Sequence, residues 1–494
     1  MFAYFFSKEI FACSEVLIKL PVVYNKYQVQ HMDVLQTKTD SVDNIGQVNV
    51  SNNSDVDNIL KEVCYALVTV PKHKLKNINS EDIDEYDFWG VGDDEGLNSL
   101  IDRAFLQCDE GVLESVLRKD LRNVALIPFE SLKPTYKLVN FNNKQILEDA
   151  DYSLCLYYYI KYEDEDASIK ANIKYSSNRN LQEILTITQT GVTAISRALA
   201  IKIENSNDNA YPARKIHDYL KSSDFTHISN EVSFTEDCVV PNSGMLFCSK
   251  PEYYETLELA DIDIVELTGN HNNDYGADWN TFTIDKYEEN GILFFGGGRD
   301  KTEASKILYV EDKGSIIAFL GYNIYDTYWG NSHALASFER AGANSYSDEK
   351  LASDIKIAKA NADVVIVDFQ FQECWCYTEG NTTCYYPISY PDQEEYFRRP
   401  IDLGADIVVG TQAHQPQIVE NYNGGVIFYG LGNLWFDQTP WEGTRQGMII
   451  THYFYNGKHI YTDVLPTYYD NEMQVFLLED DEKEKMLDIY YQRE

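Results

Sequence analysis

Apolar residues follow two rhythms along this chain, and the change between them divides it. From about residue 55 to 160, short apolar runs are set in long polar stretches. CYALVTV (64 to 70) and VALIPF (124 to 129) read as strands, and EGLNSLIDRAFLQ (95 to 107) as an amphipathic helix. Lys161 to Asn180, with its EDED cluster followed by SSNRN, reads as a linker. Beyond it the spacing becomes regular. LTITQTG (185 to 191), THISNEV (226 to 232), DIVELTGN (263 to 270), ILFFGGG (292 to 298), SIIAFLGYN (315 to 323), DVVIVDFQ (363 to 370) and DIVVGTQ (406 to 412) all read as buried strands. Helical periodicity lies between several of them, as in EKLASDIKIAKANA (349 to 362) and QEEYFRRPIDLG (393 to 404). This alternation predicts an α/β domain built on a largely buried sheet. VIFYGLGN and GMIITHYFYNGKHIYTDVLP read as hairpins, which makes the sheet mixed.

The expected organisation is a segment of undefined structure over 1–50, then a small α/β domain with its linker over 51–180. A larger domain follows over 181–467, and a charged tail or helix over 468–494. No internal repeat stands out. A length of 494 residues with 44% hydrophobic residues is enough for two or three cores.

Charge narrows the partners. The formal net charge is −38, so nucleic acid and anionic membrane surfaces, which need a basic footprint, are disfavoured. An exposed protein meeting cations or polycationic wall material fits better. The opening MFAYFFSKEIFACSEVLIKL is broken by Lys8, Glu9 and Glu15, and has neither the length of a spanning helix nor the layout of a clear signal peptide. There are nine cysteines. Cys238 and Cys248 bracket a short loop, while Cys374, Cys376 and Cys384 crowd together, and neither group has the spacing of a zinc site. Short disulfide-closed loops are expected, and with them an oxidising compartment.

Candidate chemistry gathers at strand ends, where α/β domains hold ligands. Glu231 ends THISNE, Asn270 and His271 end DIVELTGNH, Gln370 and Glu373 end DVVIVDFQFQE, and His414 follows DIVVGTQAH. Asn433 and Asp437 lie just past VIFYG. A single histidine at a strand end is more often structural, and Asn433 and Asp437 can simply cap a turn. Five strands ending alike point to a shared site. A carboxylate, an amide oxygen and imidazoles suit a divalent cation such as Mn²⁺, Zn²⁺ or Fe²⁺. Such an ion would activate water for attack on a phosphate or amide, with His271 as proton donor. GGGRD (296 to 300) lacks the Lys-Ser/Thr of a P-loop and reads as a tight turn.

Residues 183 to 467 resemble the CapA family of bacterial capsule-synthesis and poly-γ-glutamate proteins. The motifs are TGVTAISRA with Arg197, ISNEVSF, TGNHNNDYG, GILFFGGGRDKTEA, GADIVVGTQAHQPQ and YGLGNLWFD, in the family's order. The resemblance implies a fold related to the calcineurin-like metallophosphoesterases, a mixed β-sandwich flanked by helices. It implies Glu231, Asn270 and His414 as metal-site residues and His271 as the proton donor. Arg197, Asp274, Gln370, Gln412, Asn433 and Asp437 would then line the substrate site. It further implies an extracellular or envelope-associated protein of capsule or poly-γ-glutamate biosynthesis or export, with an anionic polymer or envelope components as partners. YALVTVPKHKLKNINSEDI…FWG and VALIPFESLKPTYKLV resemble a lobe of type 2 periplasmic solute-binding proteins.

Three departures weaken the implied chemistry. Gly191-Val192 stands where the family usually has Gly-Asp, Gln370-Phe371-Gln372 where it has His-Trp-Gly, and Gln412 where His-x-His has its first histidine. Losing one aspartate and two histidines removes the ligands that hold two cations close together, since neutral Gln supplies neither their charge nor their basicity. One weakly held metal, or none, is expected. The activity would be metal-assisted hydrolysis or transfer on a polymer or its phosphorylated precursor. The alternative is a non-catalytic binding protein that uses the same cleft.

Overall fold

The computed structural model describes residues 59–91, 97–101, 105–160, 176–241, 244–374 and 382–492, together with the backbone of 13–14 and 45–48. The chain forms two compact units, Met1–Gln182 and Glu183–Glu494. Nearly all of the expected segment 1–50, most of the expected linker, and Cys376 lie outside the described residues.

In the first unit the strand Ile59–Thr69 pairs antiparallel with Asn123–Pro128 along one half and with Cys155–Ile160 along the other. Its apolar run Cys64–Val68 is fully enclosed, which is why it reads so plainly in sequence. Asp87–Val91 runs parallel to Asn123–Pro128 and to Leu106–Cys108. The last strand corrects the helix expected over 95–107: Leu97–Leu100 is helical, but Leu106–Cys108 joins the sheet. Phe105 is buried against Phe88, with ring centroids 5.9 Å apart, so this apolar end serves strand packing rather than a helix face.

The second unit is a four-layer sandwich. One mixed sheet is ordered Leu293–Phe295, Ile264–Glu266, Phe225–Asn230, Leu185–Thr193, Gln446–Tyr455, Lys458–Tyr469 and Val475–Leu477, and Asn433–Trp435 joins the Leu185 strand. The other is ordered Leu308–Asp312, Ser315–Asn323, Val364–Gln370, Ile407–Thr411, Gly425–Phe428 and Val419–Tyr422. Leu185, Ile187, Ile264 and Ile450 from the first sheet pack with Ile317, Phe319, Ile366 and Ile407 from the second. Helices Arg197–Ser206 and Ala277–Glu289 cover one outer face, and Asp348–Lys359 and Gln393–Asp402 the other. This is the mixed β-sandwich flanked by helices.

The Asp348–Lys359 helix shows why such segments form. Ser347 caps it by accepting from Lys350 N, Asp348 and Glu349 occupy its first turn, and Lys356 and Lys359 its last, so charge complements the helix dipole at both ends. Leu351, Ile355 and Ala358 make one buried face. Burying a leucine or isoleucine stabilises by about 1.5–3 kcal/mol, and Ile355→Ala would cost about 2–5 kcal/mol once the cavity is included. The chain's end is also built in: Met486 and Tyr490 of helix Asp480–Tyr490 enter the core between the sheets.

Among the described residues there are three disulfides. Cys238–Cys248 and Cys374–Cys384 close the two short loops, as the spacing predicts. Cys64–Cys155 joins directly opposed residues of two antiparallel strands, 91 positions apart, which no local spacing reveals. Glu62 lies close to this pair, but both sulfurs are taken by each other and are not free to ligate a metal.

Candidate functional site

Close backbone approaches bring the strand ends together. A side chain at Gly269 would place its Cβ 2.6 Å from Glu231 Cα, so the absence of one lets the segment after Ile264–Glu266 run tightly past Glu231. At Gly191 a Cβ would lie 2.1 Å from Gly432 O, and Val192 N donates to that same oxygen at 2.9 Å. Gln370 pairs in register with Thr411, which puts Gln412 beside it. Gln412 and His414 then turn away with φ of 78° and 57°, a region non-glycine residues rarely adopt and one that concentrates at ligand sites.

A chain of amides runs through the centre of this cleft. Gln370 Nε2 donates to Glu231 Oε1 at 2.8 Å and to Asn270 Oδ1 at 3.0 Å, and also faces Gln412 Oε1. Thr411 Oγ1 donates to Gln370 Oε1 at 2.7 Å. Gln412 Nε2 points at Glu373 Oε1, 3.4 Å away. Glu231 is fully buried, and its second oxygen, Oε2, has no hydrogen-bond partner.

The two imidazoles flank this centre, each oriented by a neighbour. His271 Nδ1 lies 2.7 Å from Asp274 Oδ2, which also accepts from Phe247 N at 2.8 Å. Burial works against a charged His271 ring, but the Asp274 carboxylate outweighs it, and Glu231 and Glu373 add to it, so the pKa is raised. His414 Nδ1 lies 2.8 Å from Asn433 Oδ1. Asn433 Nδ2 is used on Thr444 O at 3.0 Å, so its oxygen faces the ring and the proton sits on His414 Nδ1.

Arg197 and Asp437 meet as a bidentate pair, with Nε to Oδ2 at 3.1 Å, and Asp437 also accepts from Ala198 N at 3.0 Å. The guanidinium stacks over Phe247 and Phe436, 4.3 and 5.0 Å from their ring centroids. Those two rings link the groups, since Phe247 lies 4.0 Å from the His271 ring and Phe436 5.2 Å from that of His414. The ten site residues expected from sequence thus fall into four hydrogen-bonded sets. Glu231, Asn270, Gln370 and Gln412 form one; His271–Asp274, His414–Asn433 and Arg197–Asp437 form the others.

These donors do not fit a pair of divalent cations. Val192, where the resemblance places an aspartate, is fully buried in an apolar cluster with Ala194, Val232, Phe247 and Phe436. Glu231 is the one carboxylate at the point where three oxygens converge, and that point faces an amide nitrogen. Among the described residues, no cluster of three His, Cys, Asp or Glu ligand atoms occurs in the cleft.

A second polar group lies between the sheets and escaped sequence reasoning. Asp368 Oδ2 is 3.2 Å from Gln189 Nε2 and 3.2 Å from His227 Nε2, and His452 Nε2 is 3.1 Å from Gln189 Oε1. Glu266, fully buried nearby, has its pKa pushed up to about 8, first by burial and then by the Asp368 charge. The available signal was a single acid inside each of two otherwise apolar runs, IVE and VVIVD.

The family described as "Bacterial capsule synthesis protein PGA_cap" matches residues 186–438 of the chain's 494. The capsule biosynthesis protein CapA of Bacillus anthracis is 28% identical over 304 residues, covering 60% of this chain and 69% of its own length. The PGA biosynthesis protein CapA of Bacillus subtilis (strain 168) is 27% identical over 237 residues, covering 47% of this chain and 58% of its own. Among solved structures, the calcineurin-like phosphoesterase YfkN of Bacillus subtilis is 13% identical, with a TM-score of 0.33, over 62% of this chain and 95% of its own. The matched span runs from the Leu185 strand to Asp437 and takes in all ten site residues, and on it the chain belongs to the bacterial capsule synthesis family PGA_cap.

Proposed function

We propose that this protein serves capsule or poly-γ-glutamate biosynthesis at the cell envelope as a binding protein, holding an anionic polymer or envelope material at the strand-end cleft without turning it over. One observation carries this reading. Most polar groups of the cleft are paired with one another, and one oxygen of its central carboxylate, Glu231 Oε1, is tied by an amide. The positive charge a carboxylate-bearing chain would meet there is the Arg197 guanidinium, which it would share with Asp437, and the His271 imidazole, whose pKa is raised. The disulfides fit an extracellular setting. Among the described residues no helix is long and apolar enough to cross a membrane.

A second reading, hydrolysis or transfer on the polymer or a phosphorylated precursor, is favoured by the His271–Asp274 pair, which keeps a proton donor in the cleft. Calorimetric titration with poly-γ-glutamate, run beside phosphodiesterase and γ-glutamyl hydrolase assays, separates the two. Binding weakened about tenfold by Arg197→Ala, with no turnover, is the expected result. Turnover that His271→Ala abolishes would establish the enzyme.

A further inference from the structure

We infer that the Gln370 carboxamide is a built-in substitute for a cation: it gathers Glu231, Asn270 and Gln412 around its nitrogen and lets the cleft stand without a metal. The inference rests on the binding reading above and gives the reason for it.

The orientation of the amides is dictated by the two carboxylates at the ends of the chain. The carboxylate oxygen Glu231 Oε1 accepts, and the Gln370 atom facing it at 2.8 Å is the NH₂ group. Glu373 likewise fixes Gln412, whose Nε2 points at it, leaving Gln412 Oε1 turned toward Gln370. Gln370 Oε1, on the far side, is held by the Thr411 hydroxyl at 2.7 Å. Glu231, Asn270 and Gln412 therefore present three oxygens to a single nitrogen. Oxygens converge in this way around a hard cation, and here an amide carrying two polarised hydrogens stands at their meeting point.

The surroundings agree with a centre built without a cation. On the side of the Leu185 strand, Val192 contributes a methyl-lined wall with Phe247 and Phe436 rather than a second charge. Gln370 and Gln412 are almost wholly buried, so the amide chain is not exchanging freely with water. A divalent ion would have to displace the Gln370 nitrogen, strip its hydrogen bonds, and then rely on a single carboxylate and neutral oxygens.

Gln370 thus decides between a metal-free and a metal-binding cleft. Gln370→Glu keeps size and shape but replaces the donor with an acceptor. Without metal the new carboxylate faces Glu231 across the distance the hydrogen bond now spans, and a hard cation such as Mn²⁺ would relieve that repulsion.

The test uses the full chain purified without chelator and needs no substrate. Metal content by mass spectrometry and melting temperature with Mn²⁺ or EDTA are measured for wild type, Gln370→Glu and Gln370→Ala. Wild type is expected to hold well under one divalent ion per chain and to melt identically in Mn²⁺ and EDTA. Gln370→Glu is expected to melt lower in EDTA and to regain at least half of that loss in Mn²⁺. Gln370→Ala leaves Glu231 buried without its donor, and is expected to melt about 3 °C or more below wild type in EDTA. A wild type carrying one tightly held ion whose removal lowers its melting point would overturn the inference, as would a Gln370→Ala variant as stable as wild type. The outcomes separate this inference from the functional reading. A metal-loaded protein without turnover defeats only the inference, and a metal-free protein with turnover defeats only the function.

Discussion

Two polar regions of the second unit handle charge in opposite ways. At the strand-end cleft, acids meet donors: Glu231 faces Gln370, Asp274 faces His271 and Asp437 faces Arg197. Between the sheets, burial and then the Asp368 charge raise the cost of ionising Glu266, which stays protonated up to about pH 8. Glu231 and Gln370 are buried as deeply as Glu266 and Asp368, so burial alone does not distinguish the two regions. Partners do. Each of these cleft acids meets a donor, whereas Glu266 is tolerated in the interior at a free-energy cost that depends on pH.

The largest expected effect breaks the interior side of that contrast. Folded Glu266 holds its proton up to about pH 8, against an ordinary value of 4.5 in the unfolded chain. The stability this provides is fully present below pH 4.5 and is lost as pH rises through about 8. Glu266→Gln should remove that dependence and gain on the order of 5 kcal/mol over wild type above pH 8. Denaturant unfolding at pH 5 and pH 9 measures it, and equal pH slopes in the two proteins would contradict it. His459 acts in the other direction. Burial lowers its pKa to about 3, so its contribution is present above its ordinary 6.5 and lost as pH falls toward 3.

A smaller effect concerns the cleft's hydrogen bonds. Asn433→Ala leaves His414 Nδ1 without its acceptor and should cost about 1–3 kcal/mol, read by the same unfolding experiment. A loss below about 0.5 kcal/mol would show that water replaces the amide without cost. The smallest effect is electrostatic. Asp274→Asn should lower the His271 pKa, because burial then acts unopposed by the adjacent carboxylate. A nuclear magnetic resonance titration of the ring detects the shift, and an unchanged or raised pKa would show that Glu231 and Glu373 hold the proton instead.

Much of the fold was legible because its strands are continuously buried: VVIVDFQ and SIIAFLGYN carry apolar residues on both faces. The sandwich layering also follows from strands alternating with amphipathic helices such as Asp348–Lys359. Leu106–Cys108 is ambiguous in sequence because so short a segment, Leu-Gln-Cys, fits either period and only pairing with Asp87–Val91 decides between them. At the site, single residues were visible but their pairings were not. That Gln370 meets Gln412 depends on the register of two strands, and that Arg197 meets Asp437 depends on a closure across 240 positions. Glu266 and Asp368 were hidden by their apolar neighbours, although an acid inside such a run is itself a signal.

The central claim is that the cleft grips its ligand with protein donors alone. Calorimetric titration of the wild-type chain with poly-γ-glutamate, once in EDTA and once in Mn²⁺, tests it most directly. The account expects the same affinity in both buffers and no change in polymer length. Binding that appears only with Mn²⁺, or polymer that shortens in its presence, would contradict it.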